Sequence, residues 1–556
     1  MKLSTLHLGN FKAFADTQRI PIRPLTLIYG ANSAGKSSII HSLILAHHAI
    51  QTGELDVHRT TVGGESVDLG GFRQYVHRRD ATRRVEWAVD LDAKDFSGRL
   101  AELFAPVETI RMSIYLGIAL DDMDRPLPDA LPQIHSYELL ADGESFFRMS
   151  RRRDGKLQLD MLDHEHPVFS EAIKAMVLLS STTESLTPED FEGLGEAIAE
   201  LVPEMVASSS RFLPDGLAKS DGLGGSFQEG MFFTISKSRR QEDLGAALRS
   251  FLPRRIDEML KGISNAVSDA VGQLQYLGPL RSYPPRHFAF AQHHDPNWYA
   301  GGGYAWDVVR RDSKVRRQVN EWLASRERLQ TPYELAVRTL VGLDQIDATV
   351  IAALEEIIEE GIDYQYEQET EYSSGAAIPF LKDPEREAAK LVGRLQNSDL
   401  EKLHELVLID RRSDTLVSHR DVGIGISQVL PVLVSAYAAS NRCVAVEQPE
   451  IHLHPKLQAE LGDVFISAAL GGEGNTFLLE THSEHLLLRI MKRMRQSFDN
   501  ELPEGAPPVR PEDVMVLFVE PDGKRSIIRE MPLNERGELV KAWPGGFFEE
   551  GLQEIF

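Results

Sequence analysis

Apolar and polar residues follow different rhythms in different parts of the chain. Near the start, Leu/Ile-rich runs at Leu3–Phe11 and Gln18–Tyr29 predict two strands. A glycine-containing loop, Gly30–Ser37, and an apolar helix, Ser37–Ile50, follow. From Arg84 to about Asp163 apolar and polar positions alternate, as in Val85-Glu86-Trp87-Ala88-Val89 and Met112-Ser113-Ile114-Tyr115-Leu116. A period of two predicts an antiparallel meander. Pro167 to Gly272 reads as mostly helical with a Gly-rich break at Asp221–Gly230, and Leu274–Arg281 reads as a strand entering a turn. Residues 305–360 read as helical again, Glu355–Glu371 as a dense acidic stretch, and Pro384–Asn397 as a helix. Beyond Leu400, strands at Glu405–Asp410, Arg442–Glu447 and Thr476–Glu480 alternate with helices at Ser427–Ser440, Lys456–Ala469 and Glu484–Arg495. Such alternation predicts a parallel sheet covered by helices. Strands at Val514–Glu520 and Ser526–Met531 close the pattern. No internal repeat or sustained heptad interrupts it.

Composition narrows the class. The 556 residues are 42% hydrophobic and 26% charged, which is globular and excludes global disorder. The formal charge of −24 excludes a generally basic nucleic-acid coat, so any DNA contact must use a local patch. The single cysteine, Cys443, cannot form an intrachain disulfide, which fits a reducing cytoplasm. No secretory signal or apolar run long enough to span a bilayer is expected.

Chemistry enters at Gly30-Ala31-Asn32-Ser33-Ala34-Gly35-Lys36-Ser37, which fits G-x-x-x-x-G-K-[ST] between a strand and a helix. Glycines permit a tight turn whose N–H groups face phosphate oxygens, and the helix N-terminus adds its positive dipole end. Asn32, Ser33, Ala34, Gly35, Lys36, Ser37 and Ser38 are the candidate nucleotide contacts. Lys36 suits the β- and γ-phosphates, and the Ser37 hydroxyl suits Mg²⁺. Glu447 ends the apolar strand Val444-Ala445-Val446 and is the candidate acidic group toward Mg²⁺. His482 follows the next strand and is placed at the same sheet edge, where it can sense a γ-phosphate.

These motifs resemble those of ABC-type ATPases related to SMC, RecF and the OLD (overcoming lysogenization defect) proteins. Leu8-Gly9-Asn10-Phe11-Lys12-Ala13-Phe14 resembles the N-terminal strand of that group. Glu447-Gln448-Pro449-Glu450-Ile451-His452-Leu453-His454-Pro455 resembles the OLD-like Walker B and D-loop, and Thr481-His482-Ser483 its switch histidine. Asp421–Pro431 occupies the place of the ABC signature, with Gly423, Gly425 and a helix start at Ser427 as the candidate unit toward the γ-phosphate of a second subunit. Tyr276–Arg281, Val422–Pro431 and Trp543-Pro544-Gly545-Gly546-Phe547-Phe548 resemble a prokaryotic AAA-family, OLD-like subgroup. The resemblance implies an α/β fold: a P-loop NTPase with an ABC-ATPase-type head, an antiparallel β meander and a large helical insertion. The implied layout is an N-terminal ATPase lobe at 1–165, a mainly helical insertion or lid at 166–400, and a C-terminal ATPase lobe at 401–556.

The resemblance further implies ATP and Mg²⁺ as cofactors and a head-to-tail homodimer, or a higher oligomer, that closes over ATP. Gln448 stands at the usual catalytic glutamate position and cannot accept a proton. Glu450 or His482 then substitutes, or hydrolysis is slow. The expected function is a cytoplasmic, nucleotide-gated dimeric sensor or scaffold in anti-phage defence, acting with a separate effector such as a nuclease. The alternatives are a RecF/SMC-like DNA repair ATPase and a nucleotide-binding scaffold with negligible turnover. A Toprim nuclease is not expected within the chain: the stretch after His482 is short, and Asp90-Leu91-Asp92 lies upstream, in the meander.

Other clusters read more simply. His452, His454, His482 and His485 have spacings seen in zinc sites but lack cysteine support, and Cys443 reads as a buried inert thiol. Arg151–Arg153, Lys237/Arg239/Arg240 and Arg310/Arg311/Lys314/Arg316/Arg317 read as solvated surface, the last also as a candidate DNA contact. Arg281 and Arg286 flank Tyr283 in a Pro-rich turn, and nucleotide, partner and DNA remain open as what they meet.

Overall fold

The computed structural model describes residues 2–170, 195–218, 240–281, 297–341, 402–417 and 424–544, except 128, 196, 209, 210, 326, 327 and 329. It also describes the isolated residues 351, 386, 389, 390, 392 and 393. The chain divides into two units, one of residues 1–282, 294–305 and 423–556, the other of 283–293 and 306–422.

In the first unit, strands β1 (Leu3–Gly9), β2 (Gln18–Pro21) and β3 (Leu25–Gly30) lead into the helix Ser37–Thr52. The meander is β4 (Val85–Asp92), β5 (Thr109–Gly117), β6 (Gln133–Ala141), β7 (Glu144–Arg151) and β8 (Leu157–Leu162). Together with β1 and β2 it forms a seven-stranded antiparallel sheet in the order β2-β1-β4-β5-β6-β7-β8. The expected meander is therefore present and larger than its own segment.

Across the same sheet, Asp90 Oδ2 meets His7 Nε2 at 3.0 Å and its Oδ1 accepts from Arg111 Nε at 2.7 Å. Those contacts hold the Asp90 carboxyl below its usual range against the opposing effect of burial. Asp92 caps the turn at Lys94 instead. The long helix Arg240–Gly272 presents Leu248, Leu252, Ile256, Met259, Leu260, Ile263 and Val267 as a buried stripe at helical spacing. Each such side chain contributes about 1.5–3 kcal/mol when taken from water.

The second sheet of this unit contains β3, β9 (Leu274–Leu277) and four strands of the C-terminal region. Further along the chain come β10 (Tyr333–Val341), β11 (Lys402–Asp410), β12 (Thr415–Val417), β13 (Cys443–Glu447), β14 (Thr476–Glu480), β15 (Val514–Asp522) and β16 (Arg525–Glu530). The order of the second sheet is β16-β15-β3-β14-β13-β9, parallel throughout except for the antiparallel edge strand β16. Strands β3, β13 and β14 are short apolar runs, as expected of strands covered on both faces. Helices Ile424–Tyr437, Pro455–Leu470 and Glu484–Phe498 connect its C-terminal strands. The sheet order, the parallel core and the adjoining antiparallel sheet make this a P-loop ABC-ATPase-type fold.

The second unit, taken alone, holds the helix Ser313–Ala324 and the three-stranded antiparallel sheet β10-β11-β12. Asp312 caps the helix at Lys314 and Val315, and Asn320 pairs with both backbone groups of Leu335.

Several sequence expectations are corrected. Residues 305–360 are not continuously helical: Tyr333–Val341 is a strand, and its alternating, β-branched pattern suits pairing with Lys402–Asp410. Glu405–Asp410 accordingly belongs to that antiparallel sheet, not to the parallel one. Gln18–Tyr29 breaks at residues 22–24 into β2 and β3, which enter different sheets. Proline 24 cannot donate to a ladder and suits such a switch. The helix expected to start at Ser427 already includes Ile424, so Ser427 lies a turn inside and is buried. Cys443 is half-buried rather than enclosed, and burial pushes its thiol up to about 12. Gly423, residues 221–230, 283–286, 355–371 and 545–548, and Lys237 and Arg239, lie outside the described residues.

Candidate nucleotide-binding site

The phosphate loop leaves the C-terminal end of β3 and enters the helix Ser37–Thr52. Ser33 and Gly35 adopt φ of 60° and 99°. A Cβ added at Gly35 would lie 2.4 Å from the Ala13 Cβ, so both backbone angle and space require glycine there. Lys36 is buried, and its Nζ donates to Gly30 O at 3.1 Å and Ala31 O at 3.0 Å. Burial lowers its pKa, opposed by Glu480, Glu450 and Glu447. Of the other loop candidates, Ala34 and Ser38 are buried, whereas Asn32 and Ser33 are exposed at the rim.

Strands β13 and β14 end in carboxylates that stand opposite one another, Glu447 beside Glu480. The Glu447 Oε1 accepts from Tyr276 Oη at 3.0 Å and lies 3.6 Å from His41 Nε2. The His41 Nδ1 lies 2.6 Å from Lys12 Nζ. Burial, partly offset by Glu447 and Asp68, brings the Lys12 ammonium down to about 8. Lys12 lines a cleft of about 540 Å³ with Asp68, Gly70, Gln74, Arg78 and Arg79. Its neighbour Ala13 packs on Gly35, so this cationic cleft adjoins the phosphate loop.

Glu480 was not anticipated as a site residue. Burial, followed by the Glu447 charge, raises its carboxyl to about 7, opposed by the Ser37 hydroxyl and the Lys36 charge. The signal was a charged residue closing the run Thr476-Phe477-Leu478-Leu479, at the same register as Glu447.

Gln448 follows β13 with φ of 47°, and its N–H donates to Glu480 O at 2.7 Å. Glu450 is fully engaged: Oε2 accepts from Thr481 Oγ1 at 2.8 Å and Oε1 from His482 N at 2.7 Å. Burial raises its pKa. Glu450 therefore clamps the segment that carries His482. Burial, then Lys36, lowers the His482 pKa, which favours neutral imidazole. Ser483 caps the helix Glu484–Phe498 at Leu486 N, and His454 caps Pro455–Leu470 at Lys456 N. That cap accounts for His454, and no cluster suited to a metal with three or more His, Cys, Asp or Glu occurs among the described residues.

Arg281 is buried beneath this edge. Its Nη2 donates to Glu447 O and Gln448 O, both at 3.0 Å, and its own carbonyl accepts from Gln428 at 3.1 Å. Burial lowers its pKa to about 10, against support from Glu450. Arg281 thus ties the helix Ile424–Tyr437 to the turn after β13. A Cβ on Gly425 would lie 3.2 Å from His452 O, so that helix also packs directly on the turn around His452.

The basic runs are largely occupied internally. Arg310 and Arg311 pair with Asp307, and Arg316 Nη1 donates to the carbonyls of Val309 and Arg310. Arg151 donates to Ile134 O on β6 and to Gly155 O in the β7–β8 turn, and Arg152 donates to Gln158 Oε1 across that turn.

Hard oxygen donors from Ser37, Glu447 and Glu480 suit Mg²⁺, and the Glu480 Oε2 is buried without a hydrogen-bond partner among the described residues. Fold and site define a P-loop nucleotide-binding protein. Residues 1–69 and 311–487 match the family model of an AAA ATPase domain. Residues 509–556 match a family described as protein of unknown function (DUF3696). No curated protein matches the chain.

Among solved structures, the chain is similar to an Smc head domain with an extended coiled coil bound to the C-terminal domain of ScpA from Pyrococcus furiosus. That match has 11% identity and a TM-score of 0.33, covering 100% of this chain and 98% of the other. An SMC head domain from Thermotoga maritima matches at 9% identity and a TM-score of 0.31, covering 96% of this chain and 100% of the other. No helix among the described residues is long and apolar enough to cross a membrane.

Proposed function

We propose that the chain is a slow, Mg²⁺-dependent ATPase that works as a nucleotide-gated dimer. The observation that carries this reading is the convergence of Lys36, Ser37, Glu447 and the Glu450-clamped His482 segment at one sheet edge. Lys36 binds phosphate oxygens, Ser37 and Glu447 hold the cation, and His482 reads the γ-phosphate. Magnesium, when bound, neutralises charge between the β- and γ-phosphates. Slow turnover follows from Gln448 at the position of the usual base and from a Glu450 whose oxygens are both engaged.

The lobes expected at 1–165 and 401–556 form the ATPase head together with β9 from the intervening segment, which otherwise serves as an insertion, while β11 and β12 belong to the second unit. Gly425, with Gly423, closes the partner subunit's nucleotide site, whereas Ser427, expected in the same unit, is buried inside its own helix and does not reach that surface. By resemblance to OLD-like ATPases, the dimer is a cytoplasmic sensor or scaffold in prokaryotic anti-phage defence, paired with a separate effector such as a nuclease. The internal pairing of Arg310, Arg311 and Arg316 favours this over direct DNA engagement.

The dimer reading is tested by mixing Lys36→Ala subunits with Gly425→Asp subunits. Two composite sites in an isologous dimer become one intact site in the heterodimer. ATPase activity recovered on mixing, with neither variant active alone, is expected. Heterodimers that form yet stay inactive would refute closure in trans.

A further inference from the structure

Resting on the nucleotide-site reading above, we propose that Glu480 is a second protein carboxylate ligand of the nucleotide-bound cation, completing a Ser37–Glu447–Glu480 site. Placement begins with topology. Strand β14 lies between the phosphate-loop strand β3 and the Glu447 strand β13. Glu480 is therefore the acidic residue on the strand adjoining the phosphate loop, in register with Ile28 on one side and Glu447 on the other.

The Ser37 hydroxyl, the group that a phosphate loop offers to a divalent cation, favours the charged form of the Glu480 carboxyl. The Glu480 Oε2 is buried and has no hydrogen-bond partner among the described residues. Glu480 is only 6% exposed. A buried, unsatisfied carboxylate oxygen beside a second carboxylate is costly unless a cation is supplied. Lys36 does not supply it in this conformation, since its Nζ donates to Gly30 O and Ala31 O. A hard divalent ion brought in with the triphosphate satisfies Oε2 and relieves repulsion between the carboxylates. Tyr276 orients Glu447 through its 3.0 Å hydrogen bond, but no corresponding tether to Oε2 of Glu480 is found among the described residues. The free oxygen is thus available for coordination, directly or through a bound water.

The consequence is strong coupling between metal and nucleotide. Without metal, two carboxylates oppose the triphosphate; with metal, both become favourable. The test measures binding of a non-hydrolysable ATP analogue to the full chain by calorimetry, in EDTA and in saturating Mg²⁺. The readout is the fold by which Mg²⁺ tightens the analogue. Glu480→Gln, nearly isosteric, is expected to reduce that fold by about 10–100, the range seen when a metal site loses a supporting group. Affinity in EDTA is expected to stay level or improve, because a negative charge facing the phosphates is gone. That EDTA value also reports on folding.

If Glu480→Gln loses binding in EDTA as well, Glu480→Asp, which keeps the charge, decides the matter. Partial recovery of the Mg²⁺ effect supports the ligand role, and full recovery of binding without a Mg²⁺ effect overturns it. An unchanged Mg²⁺ effect in Glu480→Gln likewise overturns it. Failure of the wild-type chain to bind the analogue under either condition refutes the nucleotide-site reading itself, a separate result.

Discussion

Replacing Glu450 with glutamine separates two roles that a carboxylate can play near a γ-phosphate. Glu450 accepts from Thr481 Oγ1 at 2.8 Å and from His482 N at 2.7 Å, so both oxygens position the chain around His482. Glutamine keeps one acceptor and turns the other into a donor. A hydrogen bond to a charged group contributes about 1.5–3 kcal/mol. If that is felt in the transition state, turnover falls by about 10–150-fold. A general base would cost more, on the order of 10²–10⁴. These ranges overlap, so the rate of one variant does not decide. The decisive assay is a double-mutant cycle on steady-state ATP hydrolysis, with Glu450→Gln, His482→Ala and the pair. A clamp acting through His482 predicts that the double variant is no slower than His482→Ala alone. Losses that multiply would show that Glu450 acts on the attacking water itself and would refute the clamp.

Lys36→Ala is expected to abolish nucleotide binding measured by calorimetry, because a buried cation is lost from a site that receives several phosphate charges; intact affinity would reject the loop assignment. Gln448→Glu should leave turnover equal or higher, since it restores a proton acceptor at the end of β13; a large fall in rate would show that the amide has its own role. Asp90→Asn should destabilise the head by about 3 kcal/mol in denaturant unfolding, as breaking a buried ion pair strands its partners. The Asp90 pKa is depressed in the fold, so its contribution is present above the ordinary carboxylate range and is lost as pH falls through the folded value. A difference between wild type and Asp90→Asn that persists unchanged into strong acid would contradict this.

Local signals made much of the site legible. The phosphate loop, the Glu447 strand end and the Thr481-His482-Ser483 turn each carry a pattern within about ten residues, and each lies at the expected sheet edge. The meander was visible because alternation reports one buried face. What escaped depends on distant partners. Nothing near Gln18–Tyr29 says that its halves pair with different sheets, and Tyr333–Val341 becomes a strand through pairing with Lys402–Asp410. Glu450 looked like a free base because its acceptors are filled by residues more than thirty positions away. Arg281 gave no hint that it would grip the carbonyls of Glu447 and Gln448.

The placement of β3 also sets the order in which the molecule can be made. The antiparallel sheet has all its strands by Leu162 and can condense early in synthesis. By contrast, β3 pairs only with β14 and β15, whose residues emerge from Thr476 onward. At about 5–20 residues per second, the ribosome leaves β3 without neighbours for about 20–90 s. Through that interval Leu25, Leu27 and Ile28 belong to an unpaired apolar edge, the kind of surface that nascent-chain chaperones cover. ATP cannot shorten the wait, because Glu447 and Glu480, the carboxylates proposed to hold its cation, emerge in the same late stretch of the chain.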